Sequence, residues 1–231
     1  MITLYELQAK DPRLAFSPYA WRTKMCLKHK GLDFDRKTIF FRDKDTIAPA
    51  NSKTIPVIND NGTWVADSFD IAKYLDDTYS DKPTLMGGKP GRAAAAFYNN
   101  WSTMALAVPM FKILVKDIFD LLDEDDQTYF RSTREPRLGM TLEETVDHRS
   151  ENLKRLEGNL IPLEMTLSGQ NFLGGDAPNY LDYAVFGFFQ WARLTSNIEL
   201  YKADSAIAAY VDRMLDLYDG YARNAVGLNS L

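Results

Sequence analysis

The strand-like and helix-like parts of this chain are separated by one stretch rich in proline and glycine, residues 80–91. Short apolar or alternating runs, which are typical of β-strands, occur before it, and long patterns with helical spacing occur after it. A chain of 231 residues is long enough for two modest domains with buried cores. We therefore predict a sheet-containing domain over residues 1–80, a linker over residues 81–92 and an all-helical domain over residues 93–231.

The N-terminal part begins with the pattern of a strand, a helix and a second strand. Residues 2–7 form a short apolar run, and residues 18–30 carry apolar side chains at helical spacing with a glycine behind them. Residues 32–41 alternate between apolar and charged side chains. This order predicts a βαβ unit. The polar residues 42–53 that follow are predicted to form a loop with a short helix.

A β-hairpin and a second helix are predicted next. Residues 54–58 and 63–66 are strand-like and flank an Asn-Gly turn. Pro56 has no N–H to donate to a sheet, so we expect it at the edge or beginning of its strand, or in the cis form. Asp67 and Ser68 are residue types that cap helices, and the following residues continue with helical spacing.

The C-terminal part is predicted to contain helices only. Residues 93–122 have the pattern of one long helix kinked at Pro109, and the acidic residues 123–126 are interpreted as a solvated turn. Asn179 and Asp182 have the spacing of a capping box. Further helices are expected over residues 142–167 and 179–194, and two more near residues 205–221.

Composition argues against several classes of partner. The chain has 32 acidic and 27 basic residues and no block of Lys or Arg, so we predict that it does not bind nucleic acid. Cys26 is the only cysteine and the N-terminus lacks a signal-peptide pattern, which favours the cytoplasm. No apolar run reaches the roughly 20 residues that cross a membrane. We expect His29 and His148 to face solvent, and we predict no metal, because neither has ligands at suitable spacing.

Ser17 is the strongest candidate for a catalytic residue in this sequence. It precedes Pro18 at the predicted start of a helix, where serine is a favoured cap and proline is tolerated. The N-terminus of a helix stabilises anions, including a thiolate, whose pKa falls there. Two roles are therefore open for Ser17, a helix cap alone or a cap that also stabilises a bound thiolate.

Four short motifs, in their order along the chain, resemble those of the glutathione transferase superfamily. They are Ser17-Pro18-Tyr19-Ala20, Thr54-Ile55-Pro56-Val57, Asp67-Ser68, and Leu173-Gly174-Gly175-Asp176 followed by the capping box. The first is similar to the active-site turn of thioredoxin-like proteins with both cysteines replaced. Residues 17–32 look most like the bacterial β-etherases and the related fungal Ser-type transferases. The resemblance implies an α/β thioredoxin-like domain followed by an all-α domain, the glutathione transferase fold.

The resemblance also implies glutathione as co-substrate, with its sulfur at the serine of the first motif. The main chain of Ile55 would pair with the cysteinyl main chain of glutathione, and Pro56 would be the structural cis-proline. Asp67 would accept a hydrogen bond from the α-ammonium group, and Ser68 would bind the γ-glutamyl carboxylate. Lys53 is a further candidate for the glycine carboxylate. With these matches, a catalytic role for the serine is favoured over capping alone.

The second substrate is expected to be a small hydrophobic, aromatic electrophile. The side chains proposed to contact it are Tyr19, Trp21, Met104, Val108 and Phe111. They either line a cleft that suits a flat ring or form the core between the domains, and helical spacing alone does not decide. The predicted enzyme either conjugates this compound or cleaves a β-aryl ether. The alternative is a non-catalytic protein that binds glutathione or hydrophobic ligands. By resemblance, the protein is expected to be a homodimer.

Overall fold

The computed structural model describes residues 1–230, and all four of the strands among them lie in the N-terminal part. The strands are β1 (Ile2–Leu7), β2 (Phe34–Ile39), β3 (Val57–Asp60) and β4 (Thr63–Ala66). Their order across the sheet is β2-β1-β3-β4, with β1 parallel to β2 and β3 antiparallel to both β1 and β4. Two helices, α1 (Pro18–His29) and α2 (Ser68–Thr78), and a short 3₁₀ helix (Lys44–Ala50) complete this part.

The remainder of the described chain is helical. Its helices are α3 (Lys89–Ser102), α4 (Val108–Asp120), α5 (Glu124–Leu138), α6 (Glu144–Asp147), α7 (Arg149–Leu167), α8 (Tyr180–Thr195) and α9 (Ala206–Gly220), followed by a 3₁₀ turn (Leu228–Ser230). The predicted fold class, a thioredoxin-like domain followed by an all-helical domain, is confirmed. The predicted boundaries at residues 80 and 92 stay predictions: α3 begins inside the predicted linker, and residue 231 lies outside the described residues.

The predicted hairpin forms around residues that suit its turn. Asn61 and Gly62 both have positive φ, 49° and 99°, which is the conformation that Asn-Gly favours between two antiparallel strands. Pro56 lies just before β3 with a cis Ile55–Pro56 bond, so it is outside the hydrogen-bonded ladder. The backbone N–H of Asp67 donates to the carbonyl oxygen of Pro56 at 3.2 Å. This bond joins the loop before β3 to the start of α2.

The predicted long helix is present as continuous helical backbone over Lys89–Asp120, but its irregularity does not lie at Pro109 itself. The helix is interrupted earlier, by a π-helical turn over Thr103–Ala107 that separates α3 from α4. Pro109 lies in the first turn of α4, where its missing N–H and fixed φ are tolerated. The missing N–H of Pro109 leaves the carbonyl oxygen of Ala105 free inside this turn, and the side-chain amide of Asn159 donates to that oxygen at 2.8 Å.

The acidic run at residues 123–126 is not a solvated turn, as we predicted, but the start of α5. Asp123 caps this helix by accepting a hydrogen bond from the backbone N–H of Asp126 at 2.8 Å. The buried Asp126 carboxylate accepts from the backbone N–H of Phe41 at 2.9 Å and pairs with Arg42 at 3.1 Å. These bonds attach the start of α5 to the segment that follows β2. Helix α5 carries few apolar residues, so its helical pattern is weak in the sequence.

His29 does not face solvent, contrary to the prediction. Its Nδ1 lies 2.7 Å from the hydroxyl of Tyr183 and its Nε2 lies 3.1 Å from the carbonyl oxygen of Thr84. Burial lowers the pKa of His29, which favours the neutral form of the ring. His148 is exposed. Over residues 1–230 we find no helix long and apolar enough to cross a membrane, and no cluster of three or more His, Cys, Asp or Glu placed to hold a metal ion.

Helix α8 passes very close to the start of α1. A methyl group added at Gly187 in α8 would lie 2.5 Å from the carbonyl oxygen of Pro18, well inside van der Waals contact. Glycine at this position lets the buried helix α8 support the N-terminal turn of α1 directly. The position of Ser17, immediately before that turn, therefore depends on the packing of these two helices.

We expect Gly187→Ala to destabilise the protein by about 2 kcal/mol, because the new methyl group forces α1 and α8 apart. It should also displace the start of α1, where Ser17 lies. The matched control is Gly158→Ala in α7, where an added methyl group meets no atom within 4 Å. That change should stabilise the protein by about 0.5–1 kcal/mol. Urea unfolding measures both, and equal stability of the two variants would contradict the close contact.

Candidate functional site

A cleft of about 530 Å³ opens beside the start of α1 and is lined by residues from both parts of the chain. Ser17, Tyr19 and Ile55 come from the thioredoxin-like part. The helical part contributes Phe111 of α4 and Trp191 of α8. We call this space the Ser17 cleft. Most of its wall is apolar or aromatic, which suits a ligand with a flat, hydrophobic body.

Ser17 lies both at the start of α1 and in the wall of the cleft. It is the N-cap of α1, and its Oγ accepts a hydrogen bond from the backbone N–H of Ala20 at 3.4 Å. The residue is only 4% exposed but lines the cleft, so its hydroxyl is shielded yet within reach of a ligand. Its O–H donates to no acceptor among residues 1–230 that meets hydrogen-bond geometry. The hydroxyl therefore belongs to a residue that lies at the positive end of the α1 dipole and lines the cleft.

A second cavity of about 620 Å³ adjoins the first, since Tyr19, Thr54, Ile55 and Thr103 line both. We call it the Asp67 cavity. Its other lining residues include Pro56, Asp67, Ser68 and Met104. The structure thus brings together the residues that the sequence predicts for the peptide backbone and the γ-glutamyl group of glutathione.

Asp67 is held in place by its own cap. Its Oδ1 accepts hydrogen bonds from the backbone N–H groups of Phe69 at 2.8 Å and Asp70 at 3.1 Å, at the N-terminus of α2. The residue is exposed and has a φ of 73°. Ser68, the first residue of α2, is buried and lines the cavity. An acidic group and a helix N-terminus therefore lie side by side, which suits a ligand with an ammonium and a carboxylate.

The predicted contacts of the hydrophobic substrate are only partly brought together. Tyr19, Val108 and Phe111 line the Ser17 cleft, whereas Met104 lines the Asp67 cavity. Trp21 lines neither cavity, contrary to the prediction that it contacts the substrate. It is 3% exposed, and its indole N–H donates to the carbonyl oxygen of Ala15 at 3.0 Å. Two residues along an α-helix point about 200° apart, so Tyr19 and Trp21 cannot face the same cleft.

Two groups of residues in these cavities were missed by the sequence analysis. Arg22 lines the Asp67 cavity, is fully buried, and donates to Ala184, Asn99 and Ser102. The Ser17 cleft also receives cations from elements far apart in the sequence: Lys44, Lys112, Arg134 and Arg137, in addition to the predicted Lys53. Their spacing in the chain has no pattern that predicts a shared wall, because the fold alone brings their elements together.

Two protein-family models match this chain. The model described as "Glutathione S-transferase, N-terminal domain" matches residues 16–78, and "Glutathione S-transferase, C-terminal domain" matches residues 93–215. Among curated proteins, the chain is similar to glutathione S-transferase U22 of Arabidopsis thaliana, with 26% identity over 180 residues, covering 76% of this chain and 69% of that protein.

Solved structures of fungal glutathione transferases share the fold. The glutathione transferase GSTFuA3 from Phanerochaete chrysosporium has a TM-score of 0.77 and 29% identity, covering 96% of this chain and 93% of that one. The glutathione S-transferase CsGST63524 of Ceriporiopsis subvermispora, solved in complex with glutathione, has a TM-score of 0.78 and 23% identity, covering 97% and 94%. At 23% identity the second likeness concerns the fold alone.

Proposed function

The chain belongs to the glutathione S-transferase family, and from this premise we propose that it is a Ser-type glutathione transferase with Ser17 as its catalytic residue. The observation that carries the proposal is the placement of the Ser17 hydroxyl at the N-terminus of α1, in the wall of an apolar cleft. The hydroxyl donates a hydrogen bond to the glutathione thiolate, and the helix dipole adds to its stabilisation. Both effects raise the fraction of thiolate, which is the nucleophile, at neutral pH.

Glutathione is proposed to extend from the Ser17 cleft into the Asp67 cavity. The main chain of Ile55, next to Pro56, pairs with the cysteinyl main chain, and Asp67 accepts from the α-ammonium group. The buried Ser68 at the start of α2 binds the γ-glutamyl carboxylate. Lys53, exposed in the cleft wall beside Thr54, remains a candidate for the glycine carboxylate.

We propose that the second substrate is an aromatic electrophile bound beside Tyr19, Val108 and Phe111 in the Ser17 cleft. The thiolate sulfur attacks its electrophilic carbon and displaces a halide or a phenoxide. Displacement of a phenoxide from a β-aryl ether is the reaction expected if the likeness to the β-etherases extends to activity. The domain division at residues 80 and 92, the homodimer and the cytoplasmic location stay predictions of the same proposal.

The first test is calorimetric titration of the protein with glutathione, followed by product analysis with a β-aryl ether and with a chloronitrobenzene. Release of a phenol from the ether supports β-etherase activity, and conjugation alone supports a general transferase. Glutathione binding without turnover of either compound supports the alternative, a non-catalytic binding protein. No binding at millimolar glutathione contradicts the proposed function.

We expect Asp67→Asn to raise the KM for glutathione about tenfold, because it removes the charge that faces the α-ammonium group. Asparagine retains an acceptor for the cap of α2 and tolerates positive φ, so folding should be unchanged. Steady-state kinetics at varied glutathione measures the effect. The control is Asp70→Asn, which removes an exposed carboxylate paired with Lys73 one turn further along. Equal KM values for the two variants would contradict a role of Asp67 in binding glutathione.

A further inference from the structure

Positive charge is concentrated in the wall of the Ser17 cleft, although the chain as a whole is acidic. The five charged residues in the wall are Lys44, Lys53, Lys112, Arg134 and Arg137. No Asp or Glu lines the same cleft, whereas the whole chain has 32 acidic and 27 basic residues. The excess of positive charge is therefore a local property of this cleft and does not follow from the composition of the chain.

None of these five cations forms an ion pair within residues 1–230. Other cations close to them in the sequence do form ion pairs. Arg131, in the same helix as Arg134, pairs with Glu135 and Glu143. Arg42, two residues before Lys44, pairs with Asp123 and Asp126. These four acidic side chains are therefore paired with cations that do not line the cleft.

Arg134 is the cation most enclosed by apolar groups. Its guanidinium lies over the rings of Phe130 and Phe41, with distances of 4.9 Å and 5.4 Å to the ring centroids. Burial and the nearby charge of Arg137 lower the pKa of Arg134, and burial and Arg134 lower the pKa of Lys44. Like charges that are partly removed from water repel one another. A bound anion would relieve this repulsion.

The wall around these cations is shaped for an aromatic ligand. Phe111 and Trp191 form a stacked pair with ring centroids 6.5 Å apart and planes inclined by 19°. The indole Nε1–H of Trp191 is buried and has no hydrogen-bond acceptor in the described part of the chain. The cleft thus combines aromatic surfaces with cations that form no ion pair among residues 1–230, and no Asp or Glu lines it.

We propose that the second substrate of this protein carries an anionic group, a carboxylate or sulfonate, on its aromatic body, and that Arg134 and Arg137 of α5 bind that group. This inference rests on the proposed function, and it narrows the substrate from a neutral hydrophobic compound to an aromatic acid. A guanidinium pair suits such a group, because each guanidinium donates two parallel hydrogen bonds to an oxyanion.

The glycine carboxylate of glutathione is the other possible source of an anion here. Lys53 stands next to Thr54 and Ile55, the segment assigned to the glutathione main chain. Arg134 and Arg137 instead come from α5 in the helical part of the chain, whose Phe130 also lines the cleft. The two groups of cations therefore fit two different carboxylates.

The test uses two electrophiles with the same ring and leaving group, 4-chloro-3-nitrobenzoate and the neutral 4-chloro-3-nitrobenzamide. With either, the thiolate sulfur forms a bond to the ring carbon and the carbon–chlorine bond breaks. Chloride leaves with the electron pair, and the thiol proton has passed to solvent. The charged group takes no part in bond making, so a difference in rate reports binding once each value is divided by the uncatalysed rate.

We expect the normalised kcat/KM of the wild-type protein to favour the benzoate by about tenfold. Arg134→Gln should bring this preference close to one. Arg137→Gln should do the same, and because Arg137 is exposed its replacement should not disturb folding. The matched control is Arg155→Gln, which removes an exposed arginine of α7 outside the cleft and should keep the preference. A wild-type preference near one, or a preference that survives in both cleft variants, overturns the proposal.

Two further measurements separate the possible failures. If the arginines hold the glycine carboxylate instead, Arg137→Gln raises the KM for glutathione but not for its glycyl ethyl ester, and the proposal is overturned. If no product forms, the proposed function fails, and calorimetry with S-(4-carboxy-2-nitrophenyl)glutathione and its amide still tests the inference. Binding of the acid about tenfold tighter than that of the amide, lost in Arg137→Gln, supports it. Equal binding of the two overturns it.

Discussion

Replacing Ser17 with alanine is expected to lower the kcat of glutathione conjugation about ten- to a hundredfold, because a hydrogen bond to the thiolate is lost. The N-terminus of α1 remains, so part of the stabilisation of the thiolate remains as well. The KM for glutathione should change little, since the hydroxyl acts on the thiolate more than on the rest of the bound peptide.

The measurement that identifies this role is the pH dependence of kcat/KM. In Ser17→Ala the rising limb should move to higher pH, because the pKa of the bound thiol rises. The matched control is Ser205→Ala, which removes a serine cap from α9, where Ser205 Oγ accepts from the N–H of Ala208 at 3.1 Å. That variant should lose stability and keep its turnover. Unchanged turnover of Ser17→Ala at neutral pH would show that another group activates the sulfur.

Asp182→Ala is expected to reduce the free energy of unfolding by about 3 kcal/mol or more, because it leaves three backbone donors without an acceptor. The fully buried Asp182 carboxylate accepts from the N–H groups of Leu173 at 2.7 Å, Gly174 at 3.1 Å and Asn179 at 3.0 Å. Burial raises the pKa of Asp182 to about 6, so the carboxylate is the main form at pH 7.5. The predicted capping box with Asn179 is confirmed and is part of this network.

Thermal unfolding at pH 7.5 should show a midpoint lowered by about 6–12 °C in Asp182→Ala, as expected for a protein of this size. The matched control is Asp176→Ala, which makes the same change at an exposed position of the same loop. Its midpoint should stay within about 1 °C of wild type, since exposed substitutions have small effects on stability. Similar losses in the two variants would mean that the loop tolerates unpaired donors and that the carboxylate is not its anchor.

The helix starts of this protein were predictable from sequence. Ser17, Asp67 and Asn179 were all predicted to begin or cap helices, and the structure places each at an N-cap. Each cap is made within three residues of the chain, between a side-chain oxygen and a backbone N–H. Interactions of such short range depend on residue type and order, which the sequence displays directly.

The errors concern features that depend on distant parts of the chain. Trp21 was expected in the cleft, but its environment is set by Ala15 and by the ring of Tyr221. His29 was expected to face solvent, but its Nδ1 is hydrogen-bonded to the hydroxyl of Tyr183 in α8. The acidic run before α5 was expected in water, but Asp126 bonds to Phe41. In each case a contact with a residue remote in sequence determines whether the side chain is buried and what it bonds to.

The sequence by itself determined the order of the strands, the caps of α1, α2 and α8 and the hairpin turn, because these follow from hydrogen bonds and periodicities within a few residues. Only the tertiary structure decided which face of α1 meets the cleft and which cations share its wall. Lys44 follows β2, Lys112 belongs to α4, and Arg134 belongs to α5, so no local pattern connects them. Electrostatic forces act through space, and the charge of a binding site therefore emerges only when the fold has brought its walls together.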